Sequence, residues 1–231
     1  MQNPQRKCVK INSVISMFID HAALVLCSQS EFFNTSMFTL LGKSITLYFI
    51  LRKIGRLAFP LFCFLISEGF FYTRRREKYA ASLFIFALIS EIPYNLMNGK
   101  NVFFTGSQNI YFTLFFGVIL LYILESSIGN LFKLPCCVAI ILIVSFARID
   151  YGLKGVLLIV LLYLLRNKRL YQIVCSLPFL SGGYAAWSAI FLTGLYNNKR
   201  GFIKGKTLKY AFYVFYPAHI LILLLLKKII M

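Results

Sequence analysis

Ile11-Asn12-Ser13-Val14-Ile15-Ser16-Met17-Phe18-Ile19-Asp20-His21-Ala22-Ala23-Leu24-Val25-Leu26-Cys27 is an apolar run with an aspartate and a histidine set into it. On a helix, Asn12, Ser16 and Asp20 recur every four residues and form one polar stripe. The remaining surface suits hydrocarbon. The run therefore reads as a helix that crosses a bilayer and turns one face toward other protein. His21 lies about 15 Å along the helix from Ile11, near mid-membrane or slightly beyond it.

The same pattern continues along the chain, which has 231 residues and is 59% hydrophobic and 14% charged. Its mean hydropathy is +0.76. A soluble domain carries about 25% charged residues, so too few polar side chains are present to coat a water-facing globule. The fold expected is all-α, a polytopic transmembrane helical bundle forming a single integral membrane domain over residues 1–231. About nine spans are expected: Ile11–Cys27, Leu57–Tyr72, Tyr79–Met97, Asn109–Leu124, Leu131–Ala147, Gly152–Leu165, Leu170–Leu180, Tyr184–Leu195 and Tyr210–Leu226. Leu170–Leu195 also admits reading as one helix broken at Ser181-Gly182-Gly183.

Charge decides between these alternatives. The net charge is +18. Its bases sit in short clusters between apolar runs, the habit of topology signals and not of a nucleic-acid surface. With a cytoplasmic N-terminus and nine spans, most of the 25 basic residues fall on the inner side, among them Arg74, Arg75, Arg76 and Lys78, and Lys199, Arg200, Lys204, Lys206 and Lys209. Fusing the two short segments would send the last cluster outside. Gly42–Ile54, bracketed by Lys43, Arg52, Lys53 and Arg56, reads as an interfacial or re-entrant helix on the outer side. The N-terminal run lacks a small-residue cleavage site and reads as the first span. The six cysteines form no CxxC pair.

Charged side chains at membrane depth are costly, and those that persist face the bundle interior and serve a purpose. Asp20, Glu68, Glu91, Glu125 and Asp150 are such candidates among the seven acidic residues, with both histidines, His21 and His219. Glu91 and Asn95 share a helix face, as do Arg52 and Arg56. Gln108-Asn109 and Asp150-Tyr151-Gly152 each open a span from the outside. Tyr216 and Pro217 precede His219. Under the expected topology most of these groups lie in the outer half of the bundle, whereas Glu68 leads toward the cytoplasmic Arg74–Lys78 cluster.

Imidazoles, carboxylates and paired arginines suit acid–base transfer of an acyl group. A histidine takes the proton of an attacking amine or hydroxyl, a carboxylate orients it, and arginines hold an anion. The sequence has no HExxH, no Cys/His ligand spacing, no GxSxG elbow and no phosphate-binding glycine loop, so no metal is expected.

Arg52-Lys53-Ile54-Gly55-Arg56-Leu57-Ala58-Phe59-Pro60-Leu61-Phe62-Cys63-Phe64, continuing to Glu68-Gly69-Phe70, resembles the hallmark of the TraX (F-pilin acetylation protein) family. Further blocks agree in order: Ile19-Asp20-His21, Phe86–Pro93, Gln108-Asn109 with Phe112-Thr113-Leu114, Asp150-Tyr151-Gly152 with Gly155, Leu195–Gly201, and Phe215-Tyr216-Pro217-Ala218-His219. Asn198 departs from the glycine expected in the Tyr196–Gly201 loop. The resemblance implies a multi-pass protein of the bacterial cytoplasmic (inner or plasma) membrane that transfers acetyl groups from acetyl-CoA to the amino terminus of a pilin-like peptide. Another envelope amine or hydroxyl stays open as acceptor.

The roles expected are His21 as general base, with Asp20 orienting it, and Glu91, Asp150 and His219 shaping the acceptor site. Arg52 and Arg56 would anchor substrate. Glu68, Gln108, Asn109 and Tyr216 would line the path, and Arg75, Lys199 and Arg200 would attract the phosphates of acyl-CoA. Partners expected are the lipid bilayer, acyl-CoA and the acceptor, without nucleic acid; a homo-oligomer is left open. A small proton-coupled transporter or channel would use the same acids and histidines as a relay, and a non-catalytic assembly subunit would need neither histidine.

Overall fold

The computed structural model describes residues 5–40, 42–103, 106–180, 183–194 and 206–230. Eleven helices and one β-hairpin succeed one another among these residues. They divide into two compact units, one of Met1–Phe62 with Ser181–Met231 and one of Cys63–Leu180.

In the first unit, α1 (Gln5–Ala22) runs on into a π-helical turn at Ala23–Cys27. A short α2 (Glu31–Asn34) leads to β1 (Ser36–Leu40) and β2 (Lys43–Thr46), which pair antiparallel. Gly42, at φ 75°, supplies the left-handed backbone of their tight turn. The α3 helix (Leu47–Gly55) starts where the Thr46 side chain accepts a hydrogen bond from the Phe49 amide at 3.1 Å. α3 packs against α1, and the unit closes with α10 (Tyr184–Gly194) and α11 (Lys206–Ile230), the latter also against α1.

The α4 helix (Ala58–Tyr72) starts in the first unit and belongs to the second from Cys63 onward. The second unit continues with α5 (Arg76–Met97), α6 (Ile110–Glu125), α7 (Asn130–Phe146), α8 (Gly152–Leu164) and α9 (Arg169–Ser176). α6 packs on α5, α7 and α8. It comes close to α8 at Gly117, where a β-carbon would stand 2.5 Å from Ile159 Cδ1. A small residue at such a crossing lets two membrane helices approach. Leu120, Val144, Ile149 and Val156 form a core between α6, α7 and α8.

The outer faces are as apolar as the inner ones. α5 buries Tyr79, Ala80, Leu83 and Ala87 and exposes Ile85, Leu88 and Ile89 by half or more. A helix that is apolar all round is at home in lipid. Val9–Cys27, Arg76–Met97 and Tyr210–Ile230 are long and apolar enough to cross a membrane; Ile110–Glu125, Asn130–Phe146, Gly152–Leu164 and Tyr184–Thr193 are shorter apolar helices.

Two expectations need correction. The Leu170–Leu180 segment forms the eight-residue α9 and a three-residue 3-10 turn. That helix reaches about 12 Å, well short of a hydrocarbon core of about 30 Å. Gly42–Ile54 is not helical throughout. Lys43–Thr46 is a strand, and helix begins only at Leu47. β-branched Thr39, Ile45 and Thr46 and the left-handed Gly42 favour the hairpin.

Candidate functional site

In the first unit α1 carries Asp20 and His21, α3 carries Arg52, and α11 carries Tyr216 and His219. His21 Nδ1 and His219 Nε2 are 2.7 Å apart, and His219 Nδ1 is 2.6 Å from the Phe215 carbonyl. A carbonyl only accepts, so His219 Nδ1 carries a proton and donates it to Phe215. In a neutral ring the His219 Nε2 is then the acceptor, and His21 Nδ1 donates to it. This assignment leaves the lone pair of a neutral His21 on Nε2, the nitrogen a general base needs.

Aromatic rings enclose the pair. Phe215 stacks on His219 with centroids 4.7 Å apart, and Tyr216 meets the His21 ring edge-on at 5.7 Å. His219 and Tyr216 are both buried. The π-turn begins at Ala23, two residues past His21. Such turns interrupt helices frequently at functional sites.

Asp20 does not turn to His21. Successive residues on a helix point about 100° apart, and Arg52 takes the carboxylate: its Nη1 lies 2.6 Å from Asp20 Oδ2 and 3.3 Å from the Asp20 carbonyl. His219 occupies the orienting position expected of Asp20. Gly55, one turn after Arg52, sits directly against the Asp20 carboxylate, and any β-carbon there would collide with it. Arg56 follows as the C-cap of α3, within electrostatic reach of Asp20.

The second unit gathers Glu91, Gln108, Asn109 and Asp150. Asn109 is fully buried and caps α6: its Oδ1 accepts from the Tyr111 amide at 3.0 Å, and its Nδ2 donates to the Ala87 carbonyl at 2.8 Å and to Glu91 Oε2 at 2.5 Å. Gln108 works through its backbone, donating to Arg148 O at 3.2 Å and accepting from Asp150 N at 2.9 Å. The Thr113 hydroxyl donates to the Asp150 carbonyl. Arg148 and Tyr151, at φ 49° and 60°, hold the turn around Asp150 in the left-handed region, a strained backbone for such side chains. Tyr94 hydrogen-bonds the Ser107 side chain and lies within electrostatic reach of Asp150 and Glu91. Glu68 is buried on α4, and Arg75 is the residue before α5.

Lys199 and Arg200 lie outside the described residues, as does the Leu195–Gly201 block. Among the described residues no three His, Cys, Asp or Glu side chains gather as a metal site. Sequence reasoning gave no role to Gly55, Thr113 or Tyr94, although Gly55 and Thr113 lie in the blocks that carry the resemblance. Gly55 alone had a local signal, a small residue between two arginines one turn apart.

These features define a helical membrane protein with hydrogen-bonded polar groups built into its apolar helices. The chain belongs to the TraX protein family, whose model matches residues 5–227. It is 28% identical to the probable fimbrial assembly protein FimC, serogroup H1, of Dichelobacter nodosus, over 93% of this chain and 92% of that one. An uncharacterized protein of Rickettsia prowazekii (strain Madrid E) is 27% identical over 70% of this chain and 56% of its own length. No solved structure matches.

Proposed function

We propose that the protein is an acyltransferase of the bacterial cytoplasmic membrane, moving an acetyl or other acyl group from cytoplasmic acyl-CoA to an amine or hydroxyl near the outer face. The observation that carries this reading is the hydrogen-bonded chain from the Phe215 carbonyl through His219 to His21, which leaves His21 Nε2 as a base. Family membership and the fimbrial relative favour a pilin-like peptide as acceptor.

In the step envisaged, the acceptor nitrogen or oxygen bonds to the thioester carbonyl carbon while His21 Nε2 takes the acceptor's proton. Collapse of the tetrahedral adduct breaks the carbon–sulfur bond, and His21 returns the proton to the departing thiolate, releasing the acyl product and free CoA. His219 keeps accepting from His21 Nδ1 throughout and so steadies the imidazolium. Arg56 and the remaining N–H groups of Arg52 would hold substrate or the developing oxyanion.

Purified protein given labelled acetyl-CoA and a peptide amine should transfer label. A proton relay through the same imidazole chain is the second reading, and it expects proton flux in liposomes with neither transfer nor thioester hydrolysis. Sidedness belongs to the proposal too: N-terminus inside, with the basic turns at 73–78 and 166–169 on the same side. In a background without native cysteines, a cysteine at Gln108 or Asp150 should react with an impermeant thiol reagent in intact cells, and one at Lys78 only after lysis. The reverse pattern would overturn that topology.

A further inference from the structure

At one end of the second unit the chain leaves α4, α6 and α8 and begins α5, α7 and α9. Two of the three turns, with the helix starts that follow them, carry Arg74, Arg75, Arg76, Lys78, Arg166, Lys168 and Arg169, and Glu77 and Glu125 are the acids at this end. A topology signal needs only such charge, and lysine serves it as well as arginine. The structure contains more. Arg76 lies over the Phe70 ring at 4.4 Å, Arg169 over Phe64 at 5.5 Å, and Arg166 over Phe71 at 2.9 Å. All three rings belong to α4, and Phe64 and Phe70 are fully buried.

A guanidinium held over a ring keeps its N–H groups for other partners, and those groups can fork onto phosphate oxygens. The buried Gln172 accepts from Arg169 Nη1 at 2.7 Å and itself donates to the Leu162 carbonyl at 2.6 Å. Side chains fixed beforehand lose less freedom when a ligand arrives. Two residues past Arg169 along α9, Tyr171 is 62% exposed, with Lys168 Nζ 5.9 Å from its ring centre. An exposed ring next to a cation suits a purine bearing phosphates, whereas a lipid headgroup has no base to stack on it.

We propose that this end of the second unit binds the phosphates of a purine nucleotide, the non-acyl half of the thioester donor, with Arg166 and Arg169 as forks and Tyr171 as the stacking face. The inference rests on the acyltransferase reading but is tested without turnover. Full-length protein in neutral detergent is titrated with unacylated coenzyme A, with inorganic pyrophosphate and with phosphatidylglycerol micelles. The variants are Arg166→Lys with Arg169→Lys, which keeps every charge and the topology signal, and Tyr171→Ala.

The double lysine variant should weaken coenzyme A by about tenfold or more, the scale of losing charge-assisted hydrogen bonds. Tyr171→Ala should weaken coenzyme A several-fold and leave pyrophosphate unchanged. Unaltered coenzyme A affinity in the folded double variant overturns the site. So does loss confined to phosphatidylglycerol, which would assign the arginines to a lipid headgroup. Wild-type binding of coenzyme A without acyl transfer in the separate label assay would refute the acyltransferase reading and leave this nucleotide site standing.

Discussion

Asn109 and His21 are both polar residues in apolar surroundings, and the structure treats them differently. Asn109 has its side-chain oxygen and its amide nitrogen engaged with Tyr111, Ala87 and Glu91. His21 has one nitrogen engaged with His219, and the tautomer that follows leaves the other as a lone pair. A polar group with its capacity filled by its own chain holds helices together. One with capacity left over is equipped to meet a substrate. The comparison separates scaffold from chemistry among residues that are indistinguishable in a hydropathy plot.

The comparison breaks most sharply at His21. His21→Ala should lower acyl transfer by about a hundredfold to ten-thousandfold, the usual contribution of a positioned general base, while the protein still inserts and melts as the wild type does. Turnover at the wild-type rate would remove His21 from the chemistry and make His219 the leading base. His219→Ala should cost less, because His219 orients its partner and does not itself meet the acceptor. Its signature is a displaced pH–rate profile, which a packing defect alone would not produce.

Asn109→Ala tests the other side of the comparison. It deletes an N-cap and strands the Ala87 carbonyl and Glu91, for about 2–4 kcal/mol of lost stability. Thermal unfolding in detergent should reveal it, with per-molecule activity of the surviving folded protein close to normal. A large loss of activity at unchanged melting temperature would move Asn109 from scaffold to site.

Gly55→Ala should act in between. The new methyl displaces the Asp20 carboxylate from Arg52 and so disturbs α1 next to His21. About tenfold lower transfer is expected, with a stability loss of about 1–3 kcal/mol from overpacking. Asp20→Asn should be milder, since the amide oxygen still accepts from Arg52. The Asp20–Arg52 pair is partly exposed, so losing its charge should amount to about 1 kcal/mol or less. If Asp20→Asn matched His21→Ala in severity, Asp20 would have to act on the chemistry directly.

Several parts of the fold were legible before any coordinates. The helices at Val9–Cys27, Arg76–Met97 and Tyr210–Ile230, long and apolar enough to cross a membrane, follow from runs of apolar side chains. Asp20, His21, Glu91 and His219 stood out because an ionisable group in such a run is rare. The hairpin at Ser36–Thr46 was not legible. Its strands have five and four residues, too few for a period-two pattern to emerge from an apolar, β-branched background. Arg166 and Arg169 read only as topology, since charge counts carry no information about their contacts with Phe71 and Phe64.

Membrane class and the setting of ionisable groups within apolar runs were determined by the sequence alone, because hydropathy and the cost of burying a charge are properties of each stretch by itself. The choice of partners was decided only by the tertiary structure. Adjacency in the chain joined Asp20 to His21, yet a helix turns consecutive side chains about 100° apart. Arg52, 32 residues on, and His219, 198 residues from His21, arrive from other helices to take those two directions. Hydrogen bonds form between atoms that packing brings within reach, and no local pattern in the chain encodes which helix will be there.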